Sequence, residues 1–122
     1  MSAKTEFLRQ IQGRGLICAK LEIERRDPPD YFPYFKGVIS YIAQDYILKQ
    51  GYTDLELRAF LESIDFEYGG RSDCRELKLG LIWHTDKTWS ERCECDGTEW
   101  WEFREIPVIP VELLQSNIEV SL

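Results

Sequence analysis

The apolar positions of the chain recur with two different periods, and each period predicts an element. Phe7 and Ile11 share one face at helical spacing, and Gly13 follows them as a stop. Residues 16–24 instead alternate between apolar and polar side chains, as a strand does when one of its faces meets water. The pattern therefore predicts a short helix over residues 3–12 and a strand over residues 16–24.

Residues 38–50 fit two interpretations. Val38, Ile42 and Tyr46 recur at helical spacing, whereas the first half of the segment is rich in β-branched residues, which favour a strand. We interpret the segment as a helix, because Gly51 would then stand at its C-terminal stop. A strand remains the alternative.

Another helix is predicted to begin after Thr53. Thr53 and Glu56 have the spacing of a capping box, in which each side chain binds the backbone N–H of the other residue. Apolar residues then recur at helical spacing and form one stripe that can pack against a sheet. These residues are Leu57, Phe60, Leu61 and Ile64.

Residues 77–103 predict a meander of three strands joined by two tight turns. With three-residue turns at 85–87 and 95–97, Trp83 lies opposite Trp89, and Trp89 lies opposite Phe103. We expect the helices to pack on the largely apolar face of the meander: Leu77, Leu79, Leu81, Trp83, Trp89, Cys93, Trp101 and Phe103. We expect the opposite, more polar face to be exposed: Lys78, Gly80, Ile82, His84, Ser90, Arg92, Thr98, Trp100, Glu102 and Arg104.

Together these elements predict a single α+β domain over residues 1–122, a length that allows a core of its own. The predicted architecture is an antiparallel sheet of four strands, or five, that ends in the three-strand meander. The helices are expected to pack on one face of this sheet.

The charge of the chain is strongly uneven. The net charge is −7, although residues 1–26 carry six Lys/Arg against three Asp/Glu. The remaining residues are therefore acidic, which argues against nucleic-acid binding because phosphate groups need cationic partners. An acidic body is instead suited to a basic protein partner.

Cysteines at positions 18, 74, 93 and 95 and the single His84 raise the question of a metal or catalytic site. A Cys3His zinc site from Cys74, Cys93, Cys95 and His84 would lack the paired Cys-x2–4-Cys knuckles that structural zinc sites usually have. The predicted register also points His84 away from Cys93, which opposes a nucleophile pair of these two residues and leaves Cys18 and Cys74 as the alternative partners of His84. We therefore expect no metal and no cofactor.

Glu91 is the remaining candidate for catalysis. It is predicted on the apolar face between Leu81 and Trp101, where burial would raise its pKa and suit it to act as a general acid. A single carboxylate lacks the partner that hydrolytic chemistry needs, so we expect the protein not to be an enzyme. A small enzyme that uses Glu91 or a Cys–His pair is the alternative.

The start of the chain lacks the apolar region of a signal peptide, and no apolar run reaches membrane-spanning length. We therefore expect a cytoplasmic protein with reduced thiols that does not engage a membrane.

Two features predict a surface for a protein partner. The loop 27–37 contains three prolines and four aromatic rings, which suits either a lid on the core or a stiffened binding loop. Trp100, with Arg and Glu beside it on the predicted exposed face, has the composition of a binding hot spot. The predicted partner-binding residues are Trp100, Ile82, His84, Arg92, Glu99, Glu102, Tyr31, Phe32, Tyr34 and Phe35.

In being small, acidic, α+β and rich in tryptophan, the chain resembles phage-encoded anti-defence inhibitors and bacterial immunity proteins. This resemblance is one of composition over the whole chain, and it implies no residue roles. It implies a non-enzymatic inhibitor that docks on a protein partner. A homodimer built on the same exposed face is a further alternative.

Overall fold

The computed structural model describes residues 2–27, 37–38, 40–68 and 75–114. Five strands form one sheet in the order β2-β1-β3-β4-β5, and every neighbouring pair is antiparallel. This arrangement confirms the predicted α+β class, with the helices on one face and five strands in the sheet. The elements are α1 (Ala3–Ile11), β1 (Cys18–Asp27), β2 (Ser40–Leu48), α2 (Asp54–Ser63), β3 (Arg75–Trp83), β4 (Trp89–Cys95) and β5 (Thr98–Arg104), with short 3-10 turns at Thr85–Lys87 and Val111–Leu113.

Both helices begin at the caps that stabilise them. The side chain of Ser2 accepts a hydrogen bond from the backbone N–H of Thr5 at 3.1 Å and so caps α1. At α2, Thr53 and Glu56 form the predicted capping box, with both reciprocal bonds at 3.2 Å. The two helix predictions that rested on local signals are therefore confirmed.

The helical interpretation of residues 38–50 is wrong, because Ser40–Leu48 is strand β2. Every residue of β2 pairs with β1, from Ala19 opposite Leu48 to Asp27 opposite Ser40. Pairing along the whole length of a neighbouring strand outweighs the helical spacing of three apolar residues. Gly51, at φ +80°, lies in the turn that leads from β2 into α2.

The core lies between the two helices and one face of the sheet. Phe7 of α1 and Phe60 of α2 meet edge to face, with ring centroids 5.3 Å apart. The buried hydrophobic residues are Ala3, Phe7, Ala19, Leu21, Ile23, Leu48, Phe60, Ile64, Phe66, Leu77 and Ile82.

The predicted faces are wrong for β4 and for β3 beyond Leu77, although the first turn of the meander is right. Trp83 does lie opposite Trp89, but a bulge in β3 opposite Glu22 and Ile23 changes which residues face the helices beyond Leu77. From Gly80 onward the even-numbered residues of β3 point to the core, so Ile82 is fully buried. Leu79, Leu81 and Trp83, which were expected in the core, lie on the opposite side.

The second turn of the meander also differs from the prediction. It contains two residues, Asp96 and Gly97, both with positive φ, as a type I′ hairpin requires. The pairing therefore shifts by one residue, and Trp89 lies opposite Arg104 instead of Phe103. This shift offsets the reversal of β4, so Trp101 and Phe103 lie on the side of the helices and Trp100 on the opposite side, as predicted, although Trp100 pairs with Cys93.

Candidate protein-binding face

The side of the sheet that faces away from the helices is called the open face here. Partners in an antiparallel ladder share a face, so its members follow from the strand register. They are Tyr41, Ala43, Asp45 and Ile47 of β2; Cys18, Lys20, Glu22, Glu24 and Arg26 of β1; Glu76, Leu79, Leu81 and Trp83 of β3; Trp89, Glu91, Cys93 and Cys95 of β4; and Thr98, Trp100, Glu102 and Arg104 of β5.

Large apolar side chains stand exposed on the open face. Trp83 keeps 42% of its surface accessible, Trp100 38% and Leu79 37%. Trp89 lies opposite Trp83 on the neighbouring strand and is half-buried. Aromatic side chains gathered on an accessible surface are typical of sites where a protein partner binds.

Carboxylates hold the indole rings of the open face in place. The Trp89 Nε1–H donates to Glu91 Oε1 at 2.7 Å, and the Trp100 Nε1–H donates to Glu102 Oε2 at 2.8 Å. The guanidinium of Arg104 lies 3.5 Å from Glu91 Oε1 and 3.6 Å from the Cys93 sulfur. The hydrogen bond to Cys93 raises the pKa of Arg104, with a smaller contribution from the charge of Glu91. Rings fixed in this way lose less conformational freedom when a partner binds.

The open face is acidic. Six carboxylates lie on it, those of Glu22, Glu24, Asp45, Glu76, Glu91 and Glu102. They share it with three cations, Lys20, Arg26 and Arg104, while the bulged Lys78 lies 2.8 Å from Glu76. The hydrogen bond to Glu76 raises the pKa of Lys78, so this cation stays charged. A negative excess beside exposed tryptophans suits a partner with a positive surface.

The predicted partner-binding residues fall in three different places. Trp100 and Glu102 lie on the open face. Ile82 and His84 were expected on an exposed face, but both are fully buried on the side of the helices. Arg92 and Glu99 also lie on the helix side of the sheet. The four aromatic residues of the loop, Tyr31, Phe32, Tyr34 and Phe35, lie outside the described residues.

His84 belongs to a buried hydrogen-bonded chain. Its Nδ1 lies 2.8 Å from the carbonyl oxygen of Gly15, and its Nε2 lies 2.6 Å from Ser90 Oγ. The Gln10 amide donates to Ser90 Oγ at 2.8 Å. The Ser90–His84 contact has the geometry of a nucleophile and its base, but both side chains are fully buried. The chain therefore ties α1 and the segment before β1 to the sheet.

Arg92 connects α1 to the far edge of the sheet. Its side chain is only 6% exposed; Nη1 lies 2.9 Å from Glu6 Oε2, and Nη2 lies 3.6 Å from Glu99 Oε2. The guanidinium also stands over the ring of Tyr68, 5.1 Å from its centroid. Burial raises the pKa of Tyr68, and the positive charge of Arg92 only partly opposes this effect. These contacts explain how the charged side chain of Arg92 can be buried between α1 and the sheet.

The positions of Glu91, His84 and the cysteines bear on the alternatives of a catalytic site and a metal site. Glu91 was expected in the core, but its side chain is 39% exposed on the open face. His84 and Cys93 lie on opposite faces of the sheet, and Cys74 is outside the described residues. Within the described ranges, no group of three or more His, Cys, Asp or Glu side chains is placed to hold a metal ion. In the same ranges, no helix is long and apolar enough to cross a membrane.

Sequence reasoning missed Trp83, Trp89 and Leu79 as surface residues, although one signal pointed to them. The polar half of β1 (Cys18, Lys20, Glu22 and Glu24) was predicted to face water, and these residues pair on the same face as Trp83 and Leu79.

Comparisons with protein-family models, with curated proteins and with solved structures found no match for the chain.

Proposed function

We propose that this protein is a non-enzymatic binding module that docks on a basic protein partner through the open face of its sheet. The observation that carries the proposal is the pair of exposed tryptophans, Trp83 and Trp100, set among carboxylates on one acidic surface. The proposal includes a cytoplasmic location and an inhibitory role of the phage anti-defence or immunity-protein type.

Trp83 and Trp100 are well suited to anchor a partner. Tryptophan is enriched among the few residues that dominate binding energy, because burying its ring removes a large apolar area from water. The indole of Trp100 is already oriented by its hydrogen bond to Glu102. The surrounding carboxylates supply long-range attraction, which speeds the encounter with a cationic surface.

The test begins with capture of partners from lysates of the source cell or of its competitors, followed by purification of one captured partner. Binding is then measured by calorimetry for the wild type, Trp83→Ala, Trp100→Ala and Leu55→Ala. Leu55 is a matched control, because it is an exposed apolar residue of α2, which packs on the other side of the sheet. We expect each tryptophan variant to weaken binding by at least about tenfold, as hot-spot residues do.

Salt provides an independent readout for the same complex. The association rate should fall as ionic strength rises, since added ions screen the attraction between an acidic face and a basic partner. A partner whose affinity is unchanged by Trp83→Ala and by Trp100→Ala, or whose association rate is insensitive to salt, would contradict the proposal.

A further inference from the structure

Strand β2 forms one edge of the sheet and lacks the features that usually protect an edge strand. Within the part of the chain that the structure describes, no strand pairs with its outer side. Its nine residues include one charged side chain, Asp45, and no proline, and they pair with β1 without a bulge. Natural edge strands are normally shortened, bent or charged, because their free N–H and C=O groups recruit other strands. The opposite edge, β5, carries three charged residues among seven.

Apolar side chains line both faces of this edge. Tyr41 is 65% exposed and Ile47 54% exposed on the open face, while Ile42 is 38% exposed on the side of the helices. An edge that offers a full row of backbone groups and apolar side chains on both faces is a template for strand addition.

We propose that β2 pairs with β2 of a second copy of this chain, in an antiparallel arrangement whose twofold axis passes through Gln44. This register follows from the sequence of the strand, because it places Ser40 opposite Leu48 of the second copy and so pairs all nine residues. It also sets Tyr41 opposite Ile47 and Ile42 opposite Tyr46. Apolar residues therefore meet on both faces of the joined sheet.

Other symmetric registers are less favourable. A twofold axis perpendicular to the sheet passes through a single residue if the strands are to keep the same faces. An axis through Asp45 would set two carboxylates directly opposite each other, which is destabilising. An axis through Ala43 would leave Ile47 and Leu48 beyond the end of the partner strand. The axis through Gln44 places Asp45 opposite Ala43 and opposes no two like charges.

A groove beside β2 gives the second copy a place for one of its side chains. The groove has a volume of about 440 Å³ and lies between β2 and α2, where its apolar lining includes Tyr46, Leu48, Ala59 and Phe60. In the proposed register Ile42 of the second copy lies opposite Tyr46, on the side of the sheet that carries the groove. By symmetry, each copy contributes its Ile42 to the groove of the other. The nine pairs would add about eight to ten backbone hydrogen bonds across the axis.

The test uses the fact that Gln44 would meet itself on the axis. Gln44 is exposed, so Gln44→Lys and Gln44→Glu leave the core of each chain intact. Each variant alone sets two like charges opposite each other, and its dimer should dissociate about tenfold more readily than the wild type. A 1:1 mixture pairs Lys with Glu, and its dimer should be about tenfold tighter than that of either variant alone. Sedimentation equilibrium measures all three, and Gln12→Lys is the matched control at an exposed glutamine on the end of α1.

Each result decides the proposal. A wild-type dimer that Gln44→Lys weakens, that Gln12→Lys leaves unchanged and that the mixture restores would support it. A wild-type chain that is a monomer throughout the micromolar range would overturn it. A dimer that is insensitive to Gln44→Lys, or that the mixture does not restore, would show that the copies meet through another surface, and this result also overturns it.

Discussion

Gly80 lies on the buried side of β3, whereas the sequence predicted it on the exposed face. The change in the free energy of unfolding caused by Gly80→Ala should have opposite signs for these two placements. Gly80 lies opposite Leu21 and is buried. A Cβ atom added at Gly80 would lie 2.5 Å from Cη2 of Trp101 and 3.0 Å from Cβ of Arg92. Both distances are shorter than ordinary van der Waals contact, so the indole of Trp101 must move if the residue becomes alanine.

The magnitude follows from two opposing terms. Replacing glycine by alanine within a strand stabilises the fold by about 0.5–1 kcal/mol, because the unfolded chain loses freedom. Overpacking a filled site costs about 1–3 kcal/mol. Since Trp101 is itself held beside the guanidinium of Arg92, we expect overpacking to prevail, with a net destabilisation of about 1–2 kcal/mol for Gly80→Ala. If Gly80 faced solvent, the same substitution would be stabilising.

The assay is urea unfolding followed by circular dichroism for the wild type, Gly80→Ala, Trp101→Phe and the double variant. Phenylalanine lacks the ring atoms of Trp101 that would clash, and it also removes a buried Nε1–H that has no hydrogen-bond partner among the described residues. We therefore expect the double variant to recover about 1 kcal/mol relative to the sum of the single changes. A higher unfolding midpoint for Gly80→Ala, or strictly additive effects, would refute the placement of Trp101 over Gly80.

Two further predictions concern buried polar groups. Ser90→Ala removes the hydrogen-bond partner of His84 Nε2 at 2.6 Å and of the Gln10 amide at 2.8 Å. Urea unfolding should therefore show that the free energy of unfolding falls by about 2 kcal/mol. A fall of less than about 0.5 kcal/mol would contradict the buried hydrogen-bonded chain. Burial raises the pKa of Tyr68 above its ordinary value of 10.0, so the folded state favours the neutral phenol. Its contribution to stability is complete below pH 10.0 and is lost as the pH rises above that value. Tyr68→Phe should therefore flatten the decline of the unfolding free energy above pH 10.0, which urea titrations on the two sides of that pH measure. A decline as steep as that of the wild type would contradict the raised pKa of Tyr68.

Elements with local signals could be predicted from the sequence, and those decided by distant pairing could not. The capping box of Thr53 and Glu56 fixes the start of α2 within four residues of chain, and the alternation over 16–24 identifies most of β1. Residues 40–48 carry no such signal. Their conformation is decided by pairing with β1, whose partners lie between 13 and 29 positions earlier in the chain.

The faces of β4 and of β3 beyond Leu77 were mispredicted for a physical reason. In β3, apolar residues occupy both faces, because Leu79, Leu81 and Trp83 alternate with Gly80 and Ile82. One extra or missing residue turns every later side chain to the other face, and here a bulge precedes Gly80. The two-residue turn of the second hairpin was indicated by the dipeptide Asp-Gly, which favours type I′ geometry. The bulge in β3 had no comparable signal.

The candidate site could be predicted only in part, because the apolar residues of the meander were assigned to the core. The predicted register placed Trp100 and Glu102 on the exposed face, whereas it grouped Trp83 with Leu79 and Leu81 on the apolar face and so assigned Trp83 to the interior. On the open face it is accessible, so the surface proposed for the partner is larger than a single ring.

The two proposals can be separated by experiment. A twofold axis through Gln44, perpendicular to the sheet, keeps both open faces on the same side of the joined sheet, and Trp100 lies on β5, at the far edge from β2. Trp100→Ala should therefore change the affinity for a partner and leave the sedimentation mass unchanged. Gln44→Lys should change the sedimentation mass and leave the affinity of each open face unchanged. If either variant altered both quantities, the partner surface and the contact between copies would overlap, and the assignment of separate surfaces would be wrong.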